Sequence, residues 1–157
     1  MATEIKAVVD LEYGLFGVLP QYAVKLKNYG GLALATGGVA TIVNYTESPF
    51  NYDVVIVKAL MNITTLDAQD ADLDIGIANT ATGTGMADNL LDSPANDAVA
   101  VLEGLAVTAI AGKALPVWKA KGSATKSFVC SEQNLNADAS SLKFNLILVC
   151  VPMSAIA

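Results

Sequence analysis

The densest group of side chains able to do chemistry is an acidic run, Asp67, Asp70, Asp72 and Asp74, within DAQDADLD. Calcium is held by oxygen ligands from flexible acidic segments, and carboxylates two residues apart on an extended chain share one side, so these four are the candidate metal ligands. The EF-hand arrangement is absent: neither its turning glycine nor its closing glutamate stands at the required distance. The favoured reading of the run is a solvated turn entering the wet face of a strand, with a weak calcium or interface site as the alternative.

Other motifs carry less. Gly83-Thr84-Gly85 looks like part of a phosphate-binding loop, but the third glycine of a dinucleotide fingerprint and the Lys-Ser/Thr pair of a P-loop are both missing. A flexible loop is the better reading. Fifteen carboxylates offer chance pairs for glycoside hydrolysis, yet a single tryptophan is poor material for a groove of sugar platforms. A serine or threonine nucleophile would have no histidine to activate it, and no Ser-x-x-Lys pattern replaces one. Cys130 and Cys150 sit in apolar, strand-like runs (SFVCSE and LILVCVP) and read as buried thiols, a disulfide between them being open to geometry.

Composition narrows the function classes further. The chain has no histidine, its nine basic residues are all lysine, and its net charge is −6. Without histidine it lacks the usual general base, the commonest zinc ligand and the ordinary pH switch. Without arginine it lacks the planar fork for phosphate and carboxylate, and an acidic surface is a poor match for nucleic acid. No cofactor is expected, and no enzymatic activity.

The expected context follows from the same residues. Glu4 and Asp10 interrupt the N-terminus where a secretory signal would need a basic start and a continuous apolar segment. The longest uncharged stretch, Asn28 to Thr46, is too rich in glycine and threonine to serve as a spanning helix, so no membrane partner is expected.

The elements that must position these residues read mainly as strands. Glu4–Leu11 and Tyr22–Leu26 alternate loosely, with the breakers Gly14, Gly17 and Pro20 between them, and Asn28–Gly31 reads as a turn. Leu32–Tyr45 divides at Gly37-Gly38 into an expected hairpin. Val54–Thr65 carries apolar residues on both parities, as does a strand covered on both sides, and is expected to return through the acidic turn as Leu73–Ala78. Met86–Leu91 reads as a short helix over a sheet edge, and Asp97–Ala111 as mostly strand, broken at Gly104. Leu115–Lys121, Lys126–Cys130 and Leu142–Val151 complete about eight strands, the pattern of a sandwich or barrel.

The run DADLDIGIANTATGTGMADNLLD is similar to a pattern found in virion proteins of tailed bacteriophages: alternating aspartate and apolar residues, then an Ala/Thr/Gly loop, then an Asn-Leu-Leu-Asp turn. LKFNLILVCVP resembles the closing strand of the same module. The resemblance covers roughly Val54 to Asp92 plus that strand; Asp97–Ala111 and the first 30 residues fall outside it. It implies an all-β, jelly-roll-like antiparallel β-sandwich over residues 31–157, preceded by an extended N-terminal arm over residues 1–30. It further implies a homotrimer that decorates or cements the outer surface of a phage head, against the major capsid protein shell, or that forms a head fibre or spike.

Independently of resemblance, an acidic chain rich in small apolar strands, with a mean hydropathy of +0.49, is suited to burying surface against copies of itself. The candidate contact residues are Tyr13, Leu15, Phe16 and Tyr22 near the arm, together with Trp118. A lone tryptophan in a strand is more often core. Competing expectations are a coat, tube or filament subunit, and a β-module that binds calcium or sugar.

Overall fold

The computed structural model describes residues 3–13, 20–32, 41–66, 73–81, 87–91, 99–104, 115–133 and 139–156, with the side chains of residues 10–13, 31–32, 41, 87–89, 104, 132–133 and 139–140 left aside. The described chain forms eleven strands: β1 (Thr3–Glu4), β2 (Ala7–Tyr13), β3 (Pro20–Leu32), β4 (Thr41–Glu47), β5 (Val54–Thr65), β6 (Leu73–Ala78), β7 (Ala87–Leu91), β8 (Val101–Gly104), β9 (Val117–Trp118), β10 (Phe128–Gln133) and β11 (Ala139–Pro152). A short 3-10 turn, Met153–Ala155, follows β11.

The strands form two sheets. The first has the order β1-β4-β10-β6-β7, and the second β2-β3-β11-β5-β8, with β9 also on the β5 edge. From β3 to β6 the chain alternates between sheets; β10 later inserts between β4 and β6, and β11 between β3 and β5. That order is an antiparallel jelly roll, to which β1 and β2 add one strand per sheet. Only the β1–β4 pair is parallel among the described pairs.

β11 is the straightest guide to the interior. Leu142, Phe144, Leu146, Leu148 and Cys150 recur every second residue and are all essentially buried. Its neighbours keep step only by bulging. In β3, Leu26 pairs with Leu146 and Tyr29 with Phe144, so Lys27 and Asn28 together oppose Asn145. Asn28 takes a positive φ of 63° there, and its backbone N–H donates to Asn145 Oδ1 at 3.1 Å. The inward set therefore passes from Val24 and Leu26 to Tyr29. In β5, Val57 is the extra residue between the Cys150–Ile56 and Val149–Lys58 pairs, which moves the inward set from Val54 and Ile56 to Ala59, Met61 and Ile63.

Polar ties join the sheets within this core. Tyr29 O–H and Thr46 Oγ1 lie 2.6 Å apart, and Thr46 donates to the Ile5 carbonyl at 2.6 Å, so Tyr29 is the donor to Thr46. Alongside, Asn44 Nδ2 donates to the Gly30 carbonyl at 3.2 Å and to Ser131 Oγ at 2.9 Å. Burial pushes the Tyr29 phenol well above its usual range, so it stays a neutral donor.

Several expectations are corrected. Residue 30 is not a boundary: β3 runs through it between β2 and β11, and the first 30 residues contribute Val24, Leu26 and Tyr29 to the core. Asn28–Gly31 is a bulged part of that strand rather than a turn. The hairpin at Gly37-Gly38 lies largely outside the described residues, and its flanking strands β3 and β4 belong to different sheets. For the same reason β5 and β6 are not a hairpin; the acidic segment connects one sheet to the other. The short helix at 86–91 is strand β7, pairing with β6 through Ile75–Leu91 and Ile77–Ala87 and burying Leu90 and Leu91.

Gly30, at φ 137°, lies so close to β11 that a Cβ would stand 2.0 Å from the Leu142 carbonyl oxygen. Backbone cannot yield as a side-chain tip can, so Gly30→Ala is expected to cost more than about 2 kcal/mol, measured by urea denaturation. For the polar tie, Tyr29→Phe and Thr46→Val are each expected to cost about 1–3 kcal/mol, and the double variant less than their sum. Simple additivity in that cycle would mean the two hydroxyls do not depend on each other.

Candidate functional site

The acidic candidates do not come together as a described site. Asp67, Asp70 and Asp72 lie outside the described residues. Asp74 is on β6, opposite Glu132 of β10, at 5 % exposure and engaged within the fold. The β6 face expected to be wet or closely approached is the second of these: Asp74, Gly76 and Ala78 are all buried. Among the described residues no three His, Cys, Asp or Glu side chains converge to hold a metal ion. Gly83, Thr84 and Gly85 lie outside the described residues.

Both cysteines are free and buried. Cys150 is on the inner face of the second sheet, and burial pushes its thiol up to about 12, which suppresses the thiolate. Cys130 belongs to a separate cluster with Ile42 and Ala78 on the first sheet, covered by Tyr45 and Phe128, whose rings meet edge to face at 5.7 Å. Neither thiol is presented to a substrate.

The contact candidates separate in the same way. Trp118 is fully buried on β9 beside Val54, so it is core and not an outward contact, and its indole N–H has no hydrogen-bond partner among the described residues. Tyr22 is half-buried, packed edge-on against Phe50 at 5.3 Å and hydrogen-bonded to Tyr52. Tyr13 ends β2 and its side chain lies outside the described set; Leu15 and Phe16 lie outside the described residues. The exposed apolar residues among those described are others and include Val8 at 50 %, Ile156 at 51 %, Val99 at 66 % and Val101 at 67 %. Alternation in the Val99-Val101-Glu103 run is the sequence signal that could have found two of them, had the segment been read as an edge strand.

The best-built polar feature is a corner where residues 119–127 are fastened to residues 47–53. Asp53 accepts from Lys119 Nζ and from the Ala120 N–H, both at 2.8 Å. The Lys121 N–H donates to the Phe50 carbonyl at 2.7 Å, and the Lys119 N–H to Ser127 Oγ at 2.8 Å. Beside it lies a groove of about 240 Å³, lined in part by Glu4, Lys6, Thr46, Glu47, Ser48 and Lys121. Its charges are mixed, Glu4 pairs with Lys6, and the Thr46 proton is committed to the Ile5 carbonyl.

No protein-family model matches the chain, and neither does any curated protein or solved structure. The functional reading rests on the chain's own residues. No helix among the described residues is long and apolar enough to cross a membrane.

Hydrogen bonds from Lys119 and Ala120 hold the Asp53 carboxyl below its ordinary value of 3.8. A lowered folded value gives stability that is complete above 3.8 and lost as pH falls through the folded value. Asp53→Asn is therefore expected to lower the melting temperature at neutral pH and to flatten its decline in acid. Parallel melting curves for the two proteins from pH 7 to pH 2 would show that the carboxylate does not hold this corner.

Proposed function

We propose that this chain is a viral structural protein: a decoration or cement subunit that assembles as a homotrimer on the outer surface of a tailed-phage head and stabilises the shell. The observation that carries the reading is a jelly-roll sandwich whose second sheet has exposed valines at both edges, Val8 on β2 and Val99 and Val101 at β8. Fold alone does not assign function. Here it joins the resemblance of the Val54–Asp92 run to phage virion proteins and a residue inventory that favours burial over chemistry. In this reading the apolar edges are surface that the isolated chain leaves in water and assembly removes.

A second reading is favoured by the same edges. Among the described pairs, β2 is bonded only to β3, and β8 only to β5, so strand addition at one edge could repeat at the other and give an open polymer. A coat, tube or filament subunit is that outcome.

Light scattering and negative-stain imaging of one purified fraction separate the two. A discrete trimer that binds undecorated heads saturably and raises their melting temperature is the expected result. Tubes or filaments would transfer the assignment to the polymer subunit, and a monomer indifferent to heads would overturn both.

A further inference from the structure

The two sheets finish their outer faces differently. On the first, the centre is closed, with Cys130 0 % exposed and Ile42 and Ala78 2 % exposed, and the half-buried rings of Tyr45 and Phe128 pack over it. On the second, the middle strands stay partly open. One row in register crosses all five principal strands, Val8, Lys25, Ile147, Leu60 and Glu103, and an adjacent row carries Asn145, Asn62 and Val101. Ile147, Leu60 and Val149 are half-buried aliphatics in the middle, with the exposed valines at the rims.

Charge distinguishes this face from the rest of the chain. Lys25, Lys58 and Lys143 lie on it, and Lys27 is exposed at the β3 bulge beside it, although the molecule carries −6 overall. Carboxylates enter at the rims: Glu103, which pairs with Lys58 at 3.0 Å, and the β2 register positions of Asp10 and Glu12. Five strands about 4.8 Å apart, over about 24 Å of β11, give a face on the order of 500 Å² in projection. Standing side chains enlarge it toward the roughly 800 Å² of accessible surface that each partner gives to a stable interface.

We infer that this face of the β2-β3-β11-β5-β8 sheet docks a second copy of the chain, Lys27 and Lys143 meeting carboxylates of the partner while the aliphatic row is covered. The inference rests on the self-assembly reading above and names the surface that performs it. A second copy fits because the chain, with four of its nine lysines gathered here, is acidic elsewhere. The contact is therefore between unlike surfaces, and it closes into a ring where the rotation permits. A nucleic acid fits less well: the aliphatic row offers a phosphate nothing, and the acidic rims repel it.

The test is sedimentation equilibrium of the full chain in 0.05 M and 1 M NaCl, with Lys27→Glu/Lys143→Glu and Val101→Asp as separate variants. Each alters exposed side chains, and circular dichroism checks that each folds. Association of the double variant is expected to weaken at least tenfold at low salt, with a smaller difference at high salt where charges are screened. Val101→Asp is expected to weaken it at both, and Lys126→Glu, on the 119–127 segment, to change it less than twofold. A wild-type oligomer unaffected by either face variant would overturn the inference and leave self-assembly standing. A wild-type monomer at every concentration would overturn both. Binding of a DNA duplex, lost in the double variant while the mass stays unchanged, would reassign the face to nucleic acid and overturn the inference.

Discussion

Strand β11 gives the remaining strands of its sheet their register, because from Leu142 to Cys150 it keeps a period of two where both its neighbours break theirs. Five inward side chains, from Leu142 to Cys150, form one apolar row with no polar interruption. A one-residue slip would turn all five toward water and Lys143, Asn145 and Ile147 inward. At roughly 1.5–3 kcal/mol per large aliphatic or aromatic side chain, no local preference in β3 or β5 could offset that. The neighbours adapt through the bulges at Lys27/Asn28 and Val57. Both add twist, which lets the second sheet curl over the first instead of lying flat.

The same constraint explains where polar groups are admitted to the core. The β3 bulge swings Tyr29 inward and brings the Gly30 carbonyl toward β4, where Thr46 and Asn44 meet them. A buried phenol without a partner would be costly; within the Tyr29–Thr46–Ile5 chain it instead fixes how the two sheets sit against each other. Such ties specify geometry more than they add stability. They also draw in the N-terminal segment, since the last acceptor is Ile5, between β1 and β2. The segment expected to be an extended arm or first strand is thus bonded to both sheets.

The sequence was legible where period two held and misleading where a bulge broke it. β11 and β6 were readable as strands from their alternation. β5 carries apolar residues on both parities because Val57 changes the inward set midway; read as an unbroken strand, that pattern implied cover on both faces along its whole length. Only Val54, Val55 and Ile56 show it. Asn28-Tyr29-Gly30-Gly31 has turn composition because a bulge and a turn both use positive φ, and local composition does not separate them. Long-range partners were invisible for a similar reason. Nothing near Gly37-Gly38 states that the next strand pairs with β10, more than eighty residues later. Trp118 supplies its bulk to the core, as a lone strand tryptophan was expected to, while the smaller Val8, Val99 and Val101, which were not among the contact candidates, remain in water.

That contrast bears on what the molecule is built for. One outer face packs half-buried aromatic rings over a closed centre, and the other carries half-buried aliphatics with lysines and rim carboxylates, so the jelly roll is asymmetric. Electrostatic order is asymmetric too, with lysines concentrated on the open face of an otherwise acidic chain. In the proposed self-association, attraction between unlike surfaces of identical copies would set orientation before apolar contact is made, and because exposed charges are screened over about 10 Å, it would act only at close approach. Binding strength would then come from the covered aliphatic row, and selectivity from the lysines.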